Sequence, residues 1–266
     1  MRRRRALPGS LRLLVRLGPL TLFLALSPLL AVLLLPASGG SRPRVVRLWS
    51  RTAARLVGLR VRVSGVPAPG GVLFAANHIS WLDILAFNAV HAATFVAKRE
   101  VRDWPLFGWL AARAGTVFLD RGRRSALLGA GDVLADRLRA GKPAVIFPEG
   151  TTTTGQEVAP FGPGLFRAAL EAGACVQPVT LRYGAPGSPD TVAPFVGDDS
   201  LVPHLLRLLA RPGTRVRVLF HEPVFPGENR QALAAEARVR VRAGLLPVPA
   251  AADSRDHESE LSSLPG

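Results

Sequence analysis

From Leu59 onward the chain repeats one pattern, a short apolar run followed by a polar or glycine-containing turn, and this repetition limits what it can fold into. Residues 60–63 (RVRV) alternate at period two, and 71–76, 94–97, 116–119, 144–147, 176–181 and 216–220 are apolar runs of strand length. Between some of them lie helical stretches: 125–140, closed by Gly141 and Pro143, and 165–172, closed by Gly173. Strands alternating with helices argue for an α/β domain around a single sheet. At 266 residues the chain carries one substantial domain with appendages. We place the boundaries at 1–58, an N-terminal membrane anchor and interfacial helix; 59–246, the main domain; and 247–266, a polar, acidic tail expected to be disordered.

The N-terminus sets arginines 2–5 ahead of an uncharged stretch, 17–37, long enough to enter or cross a bilayer if helical. A signal peptide has a shorter apolar region, and 36–39 is only a fair cleavage site, so the expectation is an uncleaved anchor. Pro19 and Pro28 permit a kinked or re-entrant course. Arg44, Arg47, Arg51 and Arg55 then form one stripe of a helix, opposed by Val46, Trp49, Ala53, Leu56 and Val57. That pattern suits a helix lying in the headgroup layer, and equally an amphipathic helix packed on its own domain.

Formal net charge is +15, and Lys98 and Lys142 are the only lysines. So basic a chain attracts an anionic partner: a membrane surface, a phosphorylated substrate or a nucleic acid. Nucleic acid is disfavoured because the aromatics are sparse and not interleaved with the basic residues. Cys175 is the single cysteine and reads as a small core residue, with no intramolecular disulfide to form.

The run 71–76 (GVLFAA) delivers Asn77 and His78 to a loop, and Asp83 stands five positions after His78. On a continuous helix such residues diverge by about 140°, so imidazole and carboxylate meet only if His78 precedes the helix. Ser80 fits its N-cap, Trp81 its first residue and Asp83 its first turn. Two readings stand: an acid/base pair, or a capping box Ser80-x-x-Asp83 beside an ordinary loop histidine.

Three further blocks follow: Gly115-Thr116-Val117-Phe118-Leu119-Asp120-Arg121, Phe147-Pro148-Glu149-Gly150-Thr151, and Val176-Gln177-Pro178-Val179. In this order and spacing, over 59–224, the four blocks resemble those of the glycerolipid acyltransferase family, whose bacterial members include the 1-acylglycerol-3-phosphate acyltransferases. His78 and Asp83 match its H-x-x-x-x-D and 147–151 its F-P-E-G-T.

The resemblance implies a single mixed sheet flanked by helices, a glycerol-3-phosphate acyltransferase-like fold, with N-terminal membrane-associated helices. It implies direct transfer of an acyl group from acyl-CoA or acyl-ACP, the acyl carrier protein thioester, to a lysophospholipid hydroxyl, with no other cofactor and no metal. The expected acceptor is 1-acylglycerol 3-phosphate, the product phosphatidic acid, and the location the cytoplasmic face of a bacterial inner membrane. His78 is the expected base and Asp83 the group that fixes its tautomer. The chain has no G-x-S-x-G elbow to carry a covalent acyl group.

Arg121, followed by Arg123 and Arg124, stands in the block that the family uses to bind phosphate, which Gly115 opens. Gly150 lets backbone N–H groups approach an anion, Thr151 and the threonines after it add hydroxyls, and Glu149 is expected to orient an arginine or the acceptor's hydroxyls. Pro178 and Val179 are expected to meet the acyl donor or to be structural. Two residues depart from the family pattern: Gly162, where many members have a basic residue, and Gln177, where an apolar one is common. The Val-Gln-Pro-Val-Thr form also looks like members that acylate other lysolipids, such as lyso-ornithine lipid.

Other classes fit less well. Asn-His at a strand end occurs in binuclear metallophosphoesterases, but His91, His204, His221 and His257 lack the matching Asp and Gly context. Gly129-Ala130-Gly131 lies inside a helical pattern rather than after a strand, which argues against dinucleotide binding. A membrane-bound scaffold without activity is the alternative from a different class.

Overall fold

The structure, a computed structural model, describes residues 8–34, 40–120, 124–185, 187–227 and 229–246. Arg121, Arg123 and the tail 247–266 lie outside the described residues. Two helices, α1 (Gly9–Leu34) and α2 (Arg42–Val57), precede β1 (Leu59–Ser64), β2 (Leu73–Ala76), α3 (Leu82–Val90), β3 (Thr94–Lys98), α4 (Phe107–Ala114) and β4 (Val117–Leu119). The chain continues through α5 (Arg124–Arg139), β5 (Ala144–Ile146), α6 (Arg167–Ala172), β6 (Val176–Ala185), β7 (Ser188–Pro189), α7 (Leu201–Ala210), β8 (Thr214–Phe220) and α8 (Arg230–Ala243).

The strands form one mixed sheet in the order β1-β8-β6-β2-β5-β3-β4, with β7 folded back on the end of β6. Pairing is parallel from β6 through β2, β5 and β3 to β4, whereas β8 runs antiparallel to β6 and carries β1 parallel beside it. Because side chains alternate along a strand, each strand feeds two cores. Phe74 and Ala76 join Val145, Val179 and Val218 on the face covered by α2 and α3. Leu73 and Ala75 join Ile146, Leu134, Phe166 and Ala237 on the face covered by α5, α6 and α8. Gly71 admits β2 to the sheet, since a Cβ there would lie 1.9 Å from the Leu138 carbonyl oxygen.

The structure bears on four of these readings. Pro19 and Pro28 sit inside one uninterrupted helix, α1, which starts at Gly9 and so takes in Arg12 and Arg16. Those arginines belong there because they reach the carbonyls that α7 leaves open at its C-terminus: Arg12 donates to Ala210 O at 3.4 Å and Arg16 to Arg211 O at 2.8 Å. Of its two readings, α2 takes the one in which it packs on its own domain: Ala53, Ala54 and Val57 are core, and Trp49 has its ring 5.5 Å from that of Phe23 and donates to Ser27 Oγ at 2.8 Å. Ser80 does not cap a helix. Its hydroxyl is buried without a partner, α3 starts one residue later than expected, and the capping is done from the other side by Asp83. The helix expected over 165–172 opens as a 3-10 turn, Gly164–Phe166, before α6.

Candidate active site

The C-terminal ends of β2, β5, β3 and β4 share one edge of the sheet, so Asn77-His78, Phe147 to Glu149, Lys98 and Asp120 are brought to the same rim. In open α/β sheets ligands bind at such a rim. Asn77 ends β2 by pairing with the backbone of β6: its amide donates to Leu181 O at 2.9 Å and its carbonyl accepts from Leu181 N at 2.8 Å. The backbone of His78 is then held on both sides, its N–H donating to Glu149 Oε1 at 2.6 Å and its carbonyl accepting from Thr153 N at 2.8 Å.

The His78 ring lies flat on Phe147, with centroids 3.9 Å apart and planes 10° from parallel. Its Nδ1 is 2.8 Å from Asp83 Oδ2. That oxygen also accepts from Ile79 N at 2.7 Å and Ser80 N at 2.9 Å, and Asp83 Oδ1 accepts from the Tyr183 hydroxyl at 2.7 Å. Asp83 is fully buried, and every group that meets it donates, which is the environment of a carboxylate. The hydrogen bond to Asp83 therefore puts the imidazole proton on Nδ1 and leaves Nε2 as a basic atom on a side chain that is 17% exposed. The acid/base geometry and the capping geometry coexist, because one carboxylate serves both.

Burial holds Tyr183 well above its ordinary pKa, reinforced by the Asp83 charge, so it stays protonated as a donor. Burial also raises Glu149, opposed by the two backbone N–H groups that it accepts, from His78 and from Ala159 at 2.9 Å. Glu149 thus braces the histidine loop, and among the described residues no arginine side chain bonds it. Gly150 takes the left-handed φ of 75° that the turn after β5 needs, with its N–H on Phe147 O at 3.1 Å. Thr151 is exposed at the rim, while Thr152 and Thr153 spend their hydroxyls on the carbonyls of Phe195 and His78.

The other expected residues lie elsewhere. Pro178 and Val179 are buried within β6, in register with Ala75 and Ala76, and Val179 is core. Gln177, buried beside them, ties Val66, Ala68 and His221 together through their backbones. Gly115 precedes β4, at the edge of the sheet opposite His78. Tyr183 and Phe147 are site residues to which the sequence gave no role; the signal for Tyr183 was its place in phase with Val179 and Leu181 on β6, the inward face.

An apolar cavity of about 240 Å³ lies between α1, α2, α3 and α4, walled by Leu24, Val46, Trp49, Trp81, Ile84 and Phe95. It comes to the rim at Trp81, three residues after His78, and at Phe95, whose ring is 5.8 Å from that of Phe147. Trp81 is fixed there by donating from Nε1 to His204 Nδ1 at 3.0 Å, and His204 in turn reaches Val192 O at 2.9 Å.

Comparison with known proteins agrees with this geometry. A sequence model described as Acyltransferase matches residues 60–182. A lyso-ornithine lipid O-acyltransferase of Pseudomonas aeruginosa is 42% identical over 215 residues, covering 80% of this chain and 83% of that protein. A 1-acyl-sn-glycerol-3-phosphate acyltransferase of Neisseria meningitidis serogroup B is 38% identical, covering 63% of this chain and 66% of the other. Among solved structures, the 1-acyl-sn-glycerophosphate (LPA) acyltransferase of Thermotoga maritima has the same fold, with a TM-score of 0.66 at 23% identity, covering 89% of this chain and 94% of that one. This chain belongs to the acyltransferase family and is an O-acyltransferase of lysolipids.

Proposed function

We propose that the chain acylates the free hydroxyl of lyso-ornithine lipid, with His78 as general base. The observation that carries the acceptor is the greater identity and coverage of the relative bearing that name, 42% over 80% of the chain. Gly162 agrees: it adds no cation to a loop that hydrogen-bonds to Pro148, beside the rim. A headgroup with its own ammonium needs fewer protein cations than a phosphate monoester does. A second reading, 1-acylglycerol 3-phosphate as acceptor, is favoured by the Neisseria meningitidis relative, 38% identical.

The chemistry is the same for either acceptor. His78 Nε2 takes the proton of the acceptor hydroxyl as its oxygen attacks the thioester carbonyl of acyl-CoA or acyl-ACP. The imidazolium so formed is stabilised by Asp83, and it returns the proton to the thiolate when the tetrahedral intermediate breaks down. The new ester keeps the acyl group and the free thiol leaves, so no covalent acyl-enzyme is needed. The apolar cavity takes the acyl chain, and Arg121, the residue after Asp120 in the chain, takes the acceptor's anionic group.

The substrate is amphiphilic, and α1 gives the enzyme a surface on which to meet it. A segment of 24 residues, Gly9–Val32, is long and apolar enough to cross a membrane, and Leu14, Leu22, Leu26, Leu29 and Val32 face outward. So large an exposed apolar strip belongs in lipid. We place the catalytic rim at the cytoplasmic membrane surface. The test is thiol release by detergent-purified enzyme with each lysolipid, comparing wild type with His78→Ala. Release that requires lyso-ornithine lipid and vanishes in the variant supports the proposal; release with lysophosphatidic acid alone transfers it to the second reading.

A further inference from the structure

Arg42 opens α2 with a guanidinium whose Nε is buried and meets no hydrogen-bond partner. Arg137 of α5 converges on the same place. A methyl group on Gly115 would lie 2.9 Å from Arg137 Nη2 and 3.7 Å from Arg42 Nη1. The only described partner of the Arg137 side chain is an uncharged one, the Thr94 hydroxyl at 2.6 Å and 3.0 Å, and among the described residues neither arginine pairs with a carboxylate. Arg47, one and a half turns further along α2, repeats the pattern: its Nε is buried without a partner and its charge acts on His91, whose Nε2 is also buried and unpartnered. These groups gather where β3 begins and β4 is entered, at the sheet edge opposite His78.

Guanidinium groups drawn together with a buried, unpartnered nitrogen are costly unless an anion joins them, and native proteins seldom leave such a nitrogen unpaired. Burial and the Arg42 charge both lower the pKa of Arg137, the direction that unneutralised guanidinium repulsion dictates. Gly115 keeps the space open: its φ of 91° excludes an ordinary side chain, and any Cβ would press on Arg137. The Arg42 guanidinium, together with the Arg137 N–H groups that Thr94 leaves over, matches the oxygens of a phosphate.

We propose that Arg42 and Arg137, arched over Gly115, bind the phosphate of an anionic membrane phospholipid at a site separate from the catalytic rim. The lipid occupant rests on the membrane reading of α1; the phosphate site does not. The experiment measures the thermal midpoint of the detergent-purified full chain with phosphatidylglycerol, phosphatidylcholine or inorganic phosphate added at matched ionic strength. Phosphatidylglycerol is expected to raise the wild-type midpoint, with an apparent affinity that Arg42→Gln weakens about tenfold and Arg42→Lys partly restores, while phosphatidylcholine does nothing. Arg137→Gln is expected to act in the same sense. Equal stabilisation of wild type and both Gln variants, or none in the wild type, overturns the proposal. Stabilisation by inorganic phosphate as large as that by phosphatidylglycerol overturns the lipid as occupant. Because the readout is binding, it is independent of which lysolipid the catalytic rim accepts.

Discussion

Tyr183 donates its hydroxyl to Asp83 Oδ1 at 2.7 Å across a separation of 100 residues, joining the sixth strand of the chain to the first turn of α3. With one carboxylate oxygen so occupied, the other is turned toward His78 Nδ1 and the two N–H groups before the helix. Tyr183→Phe removes that constraint and leaves Oδ1 buried without a donor. Turnover is expected to fall about tenfold with the acceptor KM little changed. Steady-state kinetics check it; a rise in KM at constant kcat contradicts the positioning account.

Asp83→Asn keeps the shape but presents an amide to the ring, so the histidine loses the group that fixes its tautomer and stabilises its charge. Turnover is expected to drop by about 10²- to 10⁴-fold. Arg121→Ala is expected instead to raise the acceptor KM. Kinetics of the two variants side by side check the division: equal loss of turnover with unchanged KM in both contradicts it.

Glu149→Gln replaces a carboxylate that accepts from His78 N and Ala159 N by an amide that can offer one acceptor oxygen to the pair. The burial that raises Glu149 makes the lost bond expensive. Destabilisation of about 1–3 kcal/mol is expected, with a lower kcat, because the backbone of His78 itself is released. Chemical unfolding and kinetics on the same preparation measure both.

His221 is lowered to about 4 by burial, with a smaller contribution from Arg240, and its Nε2 bonds the Thr180 hydroxyl at 2.7 Å while that hydroxyl donates to Val241 O. Unfolded, a histidine titrates near pH 6.5. Above that pH both states are neutral and the packing of the neutral ring is retained in full. Between about pH 6.5 and 4 the unfolded chain binds a proton that the folded one refuses, so stability falls with pH by up to about 3 kcal/mol and levels off below. His91 and His204, also lowered by burial, act in the same sense. His221→Gln therefore isolates one contribution: its thermal midpoint is expected to lose less than that of the wild type on going from neutral pH to about pH 5.

Ala111 lines the apolar cavity from α4. Ala111→Phe fills part of it, and the enzyme is expected to shift toward shorter acyl donors while keeping its kcat on the shortest that it accepts. A donor chain-length series checks this; a uniform loss at every length removes the cavity from the acyl-binding proposal.

The sequence by itself determined what depends on a few neighbouring residues. The strands show in short apolar runs, α5 in its stop signals, and the meeting of His78 with Asp83 in a spacing that works only when the histidine precedes the helix. Even the rival capping reading was local, and the structure merges it with the pair, through Asp83 rather than Ser80. Tertiary structure decided the rest. Whether Glu149 meets a substrate or the His78 backbone depends on β5 lying next to β2, and nothing in residues 147–151 records that order. Tyr183 reaches Asp83 because β6 pairs with β2 on the other side, and Gly115 departs from the rim because it stands at the entry of β4 rather than its exit. Arg12 and Arg16, which no local pattern gives a role, become in the fold the caps of α7. Periodicity and turn chemistry are settled within a window of a few residues, whereas strand order and helix docking are settled by packing between segments far apart in the chain, which no local pattern encodes.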